Sequence, residues 1–298
     1  MENSKSLVIF SLIIVQILFG INFVTSKIVV EKLDPVLWAT IRFWFSTLSL
    51  FPFLYKMQPD LFKIDKDSII KGFALALAGV TFTQFFFLSG LKLTSASNAS
   101  LLSTLTPIFT VIIVILRKQD KLTTKRGIGF ALSFLGVLIL QAQKEIDFSS
   151  KSFVGDLLVL FAFAATAIFL SYCKEFFTKL GHAKGTFWIF VFGTMQMSIY
   201  SLFTVSNIDI NPSELSTEFY MSFFFSIYGG TLATYFISNW AISKSKPDNV
   251  ALFIYLQPVV ATLLGVPYLN ESISIKFFIV CLLIFSGFFL ALKEDKRR

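Results

Sequence analysis

Ten apolar runs of about 17 to 25 residues, with charges almost only at their ends, dominate this chain of 298 residues. They cover approximately 6 to 30, 35 to 55, 69 to 91, 94 to 116, 125 to 142, 153 to 173, 185 to 206, 219 to 242, 247 to 268 and 273 to 292. A bilayer core about 30 Å thick takes about 20 apolar residues per helix, so each run is long enough to cross one. The runs are continuous rather than alternating and far exceed the roughly 10 residues of a barrel strand. With 55% hydrophobic residues, 38 Phe and a mean hydropathy of +0.75, a soluble domain of this size could not hide its apolar surface. The first run is too long for a signal-peptide core and lacks a small-x-small cleavage site, so it reads as a retained span. The expected fold class is therefore an all-α integral membrane protein of ten transmembrane helices.

The net charge of +8 has a topological reading. Counting alternate loops from the N-terminus, one set holds 19 of the 26 Lys and Arg and the other set 6, with Arg42 inside the second span. Excess Lys and Arg marks the cytoplasmic side, which predicts a multi-pass protein of the inner or plasma membrane with both termini cytoplasmic. Clusters such as Arg117, Lys118, Lys121, Lys125 and Arg126 then report orientation rather than a nucleic-acid partner. Cys173 and Cys281 have neither the spacing nor the context of a disulfide or metal site, and His182 is the only histidine. No metal, no cofactor and no catalytic residue is expected, and the lack of a phosphate-binding Gly-rich loop argues against ATP-driven pumping.

Compared with itself at a shift of 151, the chain lays its third to fifth spans over its eighth to tenth without a gap. Asn98 falls on Asn249, Pro107 on Pro258 and Gly136 on Gly287, with Thr83 on Thr234 and Asp120 on Glu271. A shift of 147 aligns the front of each half more weakly, placing Gly20 on Ala167 and Lys27 on Lys174. The expected halves are 1–145 and 146–298, with five spans each. An odd number makes the second copy enter from the opposite face. Inverted repeats of this kind suit alternating access, with the site between the halves near the bilayer midplane.

The segments "FGINFVTSK", "DPVLWATIRF", "LKLTSASNASLLSTLTPIF", "GDLLVLFAFAATAIF" and "NWAISKSKPDNVALFIYLQPVVATLLGVPYLNESIS" occur in this order, with "LLIFSGFFLAL" in the last span. Together they resemble the EamA-type carriers of the drug/metabolite transporter superfamily over nearly the whole length. The resemblance implies ten helices, five plus five inverted, and efflux or exchange of small metabolites such as amino acids. The chain departs from the pattern at Phe19 and Thr166, where a Trp is usual.

Polar groups must share a helical face to line one cavity. Tyr228, Thr231, Tyr235 and Asn239 step by 3, 4 and 4 along the eighth span, and the shift of 151 lays Gln84 on Tyr235. Trp38 and Arg42 share a face of the second span; a guanidinium there suits a substrate carboxylate or a structural or gating pair. Gln16, Gly20 and Phe23 form a stripe of the first span leading to Lys27, with Asn22 to one side, and Lys27 itself is expected at the interface. Tyr255 completes the substrate-binding candidates. Trp188, Phe192, Gln196 and Tyr200 form an aromatic stripe of the seventh span, more suited to packing. Interhelical hydrogen bonds, worth about 0.6 kcal/mol each, are the competing explanation for every buried polar group.

Pro107 and Pro258 should each break a helix and release the carbonyl one turn earlier, with the two broken helices facing each other across the transport path as gating elements. Asn98 is expected near the outer surface and Asn249 near the inner one. No acidic group or histidine falls in mid-span, which favours facilitation or exchange over proton antiport. The sequence thus points to a secondary carrier with a small-molecule substrate and the bilayer as partners. A membrane sensor or a lipid-modifying membrane enzyme are the alternatives, and nothing in the sequence chooses between monomer and homodimer.

Overall fold

The computed structural model describes residues 2–118, 123–142, 151–204, 215–244, 253–271 and 275–292. Among the described residues every regular element is a helix. The long helices are α1 (Glu2–Val30), α2 (Pro35–Met57), α7 (Thr124–Ala142), α8 (Lys151–Leu180), α9 (His182–Thr204), α12 (Leu256–Leu269) and α13 (Ile275–Leu292). Two further rods are compound. In the first, α3 (Lys66–Ala76) runs through a π turn (Leu77–Phe82) into α4 (Thr83–Leu93); in the second, α10 (Thr217–Ile227) runs through a π turn (Tyr228–Ala233) into α11 (Thr234–Lys244). The Pro107 segment is split into α5 (Ala96–Ser103) and α6 (Thr106–Leu116), and a 3-10 turn (Phe253–Tyr255) precedes α12.

Six of these stretches are long and apolar enough to cross a bilayer, matching expected spans one to four, six and seven. Helices also occupy the intervals of the other four expected spans over their described residues. Large side chains such as Phe203, Leu202 and Leu116 lie more than three-quarters exposed on the outside. Such a coat has no stable place in water, and the molecule is an all-α membrane protein.

Local chemistry sets the helix starts. Asp34 Oδ1 accepts from the Val36 and Leu37 N–H groups at 2.9 and 3.1 Å, with Pro35 at the first helical position. Asp65, Ser95 and Ser216 cap α3, α5 and α10 in the same way. The breaks before Pro107 and Pro258 follow from the missing N–H and the ring clash of proline.

Element boundaries recur along the chain. Adding 151 to the limits of α3, its π turn and α4 returns the limits of α10, its π turn and α11, residue for residue; adding 147 to α2 returns α9. Helices α2 and α9 pack antiparallel, through Trp44–Ser198 and Thr47–Thr194 hydrogen bonds, both 2.9 Å, to the Phe51–Phe187 ring pair. Helices α7 and α13 pack on each other, α4 on α8, and α1 on both α11 and α12. The apolar core forms two clusters. One surrounds Val29, Trp38, Leu91 and Leu101 at the end of the bundle where α1 finishes, here the distal end; the other surrounds Leu54, Leu61, Phe177 and Phe190 toward the opposite, proximal end.

Candidate functional site

The two clusters part around a cavity of about 120 Å³. Its walls come from both halves: α1, α2, α4 and α6 on one side, α8, α11 and the start of α12 on the other. Phe19, Phe23, Phe87, Phe163 and Phe169 supply the apolar part, and Gln16, Asn22, Arg42, Gln84, Asn239 and Gln257 much of the polar part.

Arg42 is 1% exposed. Its Nε donates to Thr231 Oγ1, Nη1 to Ser26 Oγ at 3.3 Å and Nη2 to the Gly230 carbonyl at 3.3 Å. Ser26 in turn donates to Asn22 Oδ1 at 3.1 Å. Every one of these acceptors is neutral, and among the described residues no carboxylate lies within 4 Å of the guanidinium.

Tyr235 stands at the centre, in edge-on contact with Phe19, Phe43 and Phe190. Its hydroxyl donates to the Gly79 carbonyl at 3.1 Å and accepts from Gln84 Nε2 at 3.2 Å. A phenol has one proton, so the Gly79 bond fixes the orientation of the Gln84 amide. Gln84 Oε1 is left buried without a protein partner, as is Thr106 Oγ1, and both residues line the cavity. Nearby, Gln257 Nε2 donates to Gln16 Oε1 while Ser103 Oγ donates to Gln257 Oε1 at 2.9 Å, tying α1 to both proline-broken segments.

The π turns place these groups. The Thr83 hydroxyl reaches the Ala78 carbonyl at 2.8 Å and the Thr231 hydroxyl the Ser226 carbonyl at 2.8 Å, five residues back in each case, which satisfies acceptors that a wider turn displaces. A Cβ on Gly79 would overlap the Phe169 ring and one on Gly230 the Asn22 side chain, so both positions need the bare backbone. Gly79 and Gly230 are again 151 apart, and their partners Asn22 and Phe169 are 147 apart.

The EamA-like transporter family pattern matches the chain twice, over residues 6–141 and 153–293. The chain belongs to the EamA-like transporter family. Related proteins include an uncharacterized transporter of Archaeoglobus fulgidus, 25% identical over 91% of each chain, and the uncharacterized transporter YoaV of Bacillus subtilis, 21% identical over 98% of each. A WAT1-related protein of Arabidopsis thaliana is 27% identical over 85% of this chain and 76% of its own length. A solved crystal structure superposes with a TM-score of 0.68 at 16% identity, covering 97% of this chain and 96% of the other, a likeness of fold alone.

Within this EamA member, six residues singled out from sequence meet at the cavity: Gln16, Asn22, Arg42, Gln84, Tyr235 and Asn239. Thr231 stands behind Arg42 as its acceptor. Two others do not reach it. Tyr228 is 44% exposed on the outer surface, because the π turn that begins at this residue breaks the helical step assumed for the stripe. Trp38 is fully buried against the Phe223 ring, 4.7 Å between centroids, since α10 covers that face of α2. The side chain of Tyr255 lies outside the described residues, as does Asn249. Pro107 and Pro258 are buried, and it is their preceding neighbours, Thr106 and Gln257, that line the cavity.

Sequence reasoning missed Gln257, Thr106 and Ser238, although Thr106 and Gln257 are themselves a pair 151 apart beside the matched prolines. Phe19 and Thr166, where the chain departs from the usual EamA Trp, both line the cavity. The seventh-span stripe is packing: Gln196 donates to the Phe73 carbonyl at 2.9 Å and accepts from Thr81 at 2.5 Å, and the Trp188 ring lies tilted against that of Phe192.

The distal end is tied across its helices. Lys27 Nζ donates to the carbonyls of Leu91 and Lys92 at 3.0 and 3.2 Å at the C-terminus of α4 and lies 3.6 Å from the Glu31 carboxylate. Glu271 accepts from the Ala96 and Ser97 N–H groups at 2.7 and 3.1 Å, a carboxylate at the N-terminus of α5.

Proposed function

We propose that this EamA-family protein is a secondary carrier that moves small organic metabolites across the cell membrane by alternating access, as efflux or exchange. In this reading ten spans form two inverted five-helix repeats, 1–145 and 146–298, with both termini cytoplasmic. The observation that carries it is the meeting of repeat-equivalent residues at the cavity: Gln84 and Tyr235, 151 apart, are hydrogen bonded to each other. A residue that touches its own equivalent sits on the symmetry axis. The antiparallel packing of α2 and α9 supports an axis in the membrane plane. The Lys27 and Glu271 ties support a state closed at the distal end, which the loop charges make the outer one. The wall residues support facilitation or exchange, because no Asp, Glu or His is among the described ones.

The test begins with metabolite pools inside and outside cells that lack or overproduce the protein, and then follows the shifted solutes into proteoliposomes. Saturable uptake accelerated by the same solute inside the vesicle is the expected result. A solute that binds in an ordered way but never crosses would move the reading to a sensor; chemical conversion of lipid by the purified protein would move it to an enzyme.

A further inference from the structure

Among the described residues, the cavity wall contains one charged side chain, Arg42, and no acidic one. Its partners, Thr231, Ser26 and the Gly230 carbonyl, are dipoles without net charge. A guanidinium has five N–H donors, so three such bonds leave donors free. Desolvating an ion costs several kcal/mol unless a counter-charge compensates, and none is present among the described residues. Beside this unmatched cation, Gln84 Oε1 and Thr106 Oγ1 are each buried, unpartnered and on the wall of the same cavity. Gln84 Oε1 can only accept. The complementary molecule therefore carries a negative group for Arg42 and an N–H or O–H donor for Gln84, with an apolar remainder against the Phe side chains.

Resting on the carrier reading, we propose that the cavity selects a small organic monoanion, a carboxylate bearing a hydroxyl or amide donor, over the zwitterion or cation of the same skeleton. An amino acid would satisfy Arg42 with its carboxylate, but its ammonium would meet only neutral acceptors in a low-dielectric cavity, at a cost the monoanion does not incur. Moving the monoanion past a fixed Arg42, with no other ionisable cavity group among the described residues except the Tyr235 phenol, transfers one negative charge per turnover. Uncoupled uptake should then follow the membrane potential, whereas anion-for-anion exchange should not.

The experiment uses the full-length protein and matched trios of a 2-hydroxy acid, the corresponding 2-amino acid and the corresponding amino alcohol, on three-carbon and phenyl-bearing skeletons. Binding is read as thermal stabilisation in detergent. The hydroxy acid of at least one trio should half-saturate at a concentration about tenfold below its amino acid. Arg42→Gln should abolish that preference and Arg42→Lys should keep part of it. Gln84→Glu, which places a carboxylate in the cavity, should reverse the order toward the amino acid or amino alcohol; this gain cannot arise from misfolding. In vesicles, an inside-positive potassium diffusion potential should drive net uptake of the preferred hydroxy acid.

Amino acid or amino alcohol binding as tight as the hydroxy acid, an unchanged order in the Arg42→Gln and Gln84→Glu proteins, or no binding of any trio member would each overturn the monoanion proposal. Potential-independent flux of the amino acid would overturn it while leaving the carrier reading intact. Hydroxy-acid binding without flux of any kind would do the reverse.

Discussion

Gln84 and Tyr235 occupy equivalent positions in two copies of one repeat and are also hydrogen bonded to each other, Nε2 to Oη at 3.2 Å. Phe43 and Phe190, 147 apart, likewise meet, as an edge-on ring pair with centroids 5.3 Å apart, and Thr47 and Thr194 share a hydrogen bond of 2.9 Å. The first two pairs touch, since the Tyr235 ring meets those of Phe43 and Phe190, and Gln84 and Tyr235 line the cavity. Removing the Tyr235 hydroxyl should be felt twice, since the Gly79 carbonyl loses a donor and Gln84 Nε2 an acceptor. Tyr235→Phe should lower stability by about 1 to 3 kcal/mol and depress transport. Adding Gln84→Leu to it should cost less than the sum of the single changes, because both act on one bond. Strict additivity in thermal melts would show that the bond is not shared.

Lys27 should hold the distal end shut. Its equivalent, Lys174, makes no matching bond to the carbonyls of Ile242 or Ser243 at the proximal end among the described residues. A cation at a helix C-terminus contributes about 0.3 to 1 kcal/mol when exposed and up to about 2 when partly buried. Lys27→Met should therefore raise opening at the distal end several-fold. A cysteine at Phe23, in a background without Cys173 and Cys281, should label faster with an impermeant thiol reagent from the distal side. An unchanged labelling rate would remove Lys27 from the closing contacts.

Gly90 and Gly155 meet backbone to backbone where α4 and α8 pack. A Cβ on Gly90 would sit 2.6 Å from the Gly155 carbonyl oxygen, and one on Gly155 would sit 2.8 Å from that of Gly90. Both obstacles are backbone and cannot rotate away. Gly90→Ala should destabilise the protein by about 1 to 3 kcal/mol, the usual cost of overpacking. A methyl group added at Gly127 in α7 would meet nothing within 4 Å, so Gly127→Ala should be neutral or stabilising by up to about 1 kcal/mol. Melting temperatures of the two variants in one detergent provide the comparison.

Asp65 caps α3 and accepts from Lys179 Nζ at 2.8 Å. The Lys179 hydrogen bond, followed by that from Ser68, holds the Asp65 carboxyl below the ordinary carboxylate range. A carboxylate depressed on folding stabilises above its unfolded pKa, near 4, and loses that contribution as pH falls through the folded value. The stability difference between wild type and Asp65→Asn should therefore be flat from about pH 5 to about pH 8 and shrink only below about pH 4. With both partners about half exposed, the difference should be small and should decrease with salt.

Helix positions were legible in the sequence because lipid demands long apolar runs, and the pairing of Gln84 with Tyr235 was legible because a gapless shift survives in the chain. Tyr228 was misplaced for a physical reason: its stripe assumed 3.6 residues per turn through a segment that is a π turn, and nothing in "YGGTLA" announces the extra residue. Trp38 shares its face with Arg42, but a helical wheel does not say which neighbour covers each level of that face. Gln257 carried a usable signal beside Pro258. The contact of Lys27 with the end of α4 did not, because the carbonyls it meets belong to a helix end more than 60 residues away.

The two π turns also order events in the history of the chain. The EamA pattern occurs twice, and both copies carry the same irregularity at the same place, Leu77–Phe82 and Tyr228–Ala233. One insertion before duplication accounts for both, whereas insertion afterwards requires the same accident twice. On the inverted-repeat reading proposed above, the ancestor was a half-length chain that already had its turn and that enclosed a cavity by pairing with an antiparallel copy of itself. In that pair the positions of Gln84 and Tyr235 were a single residue facing its twin. On that reading one could become an amide and the other a phenol only after fusion, and the unpartnered oxygen of Gln84 is a product of two halves free to diverge.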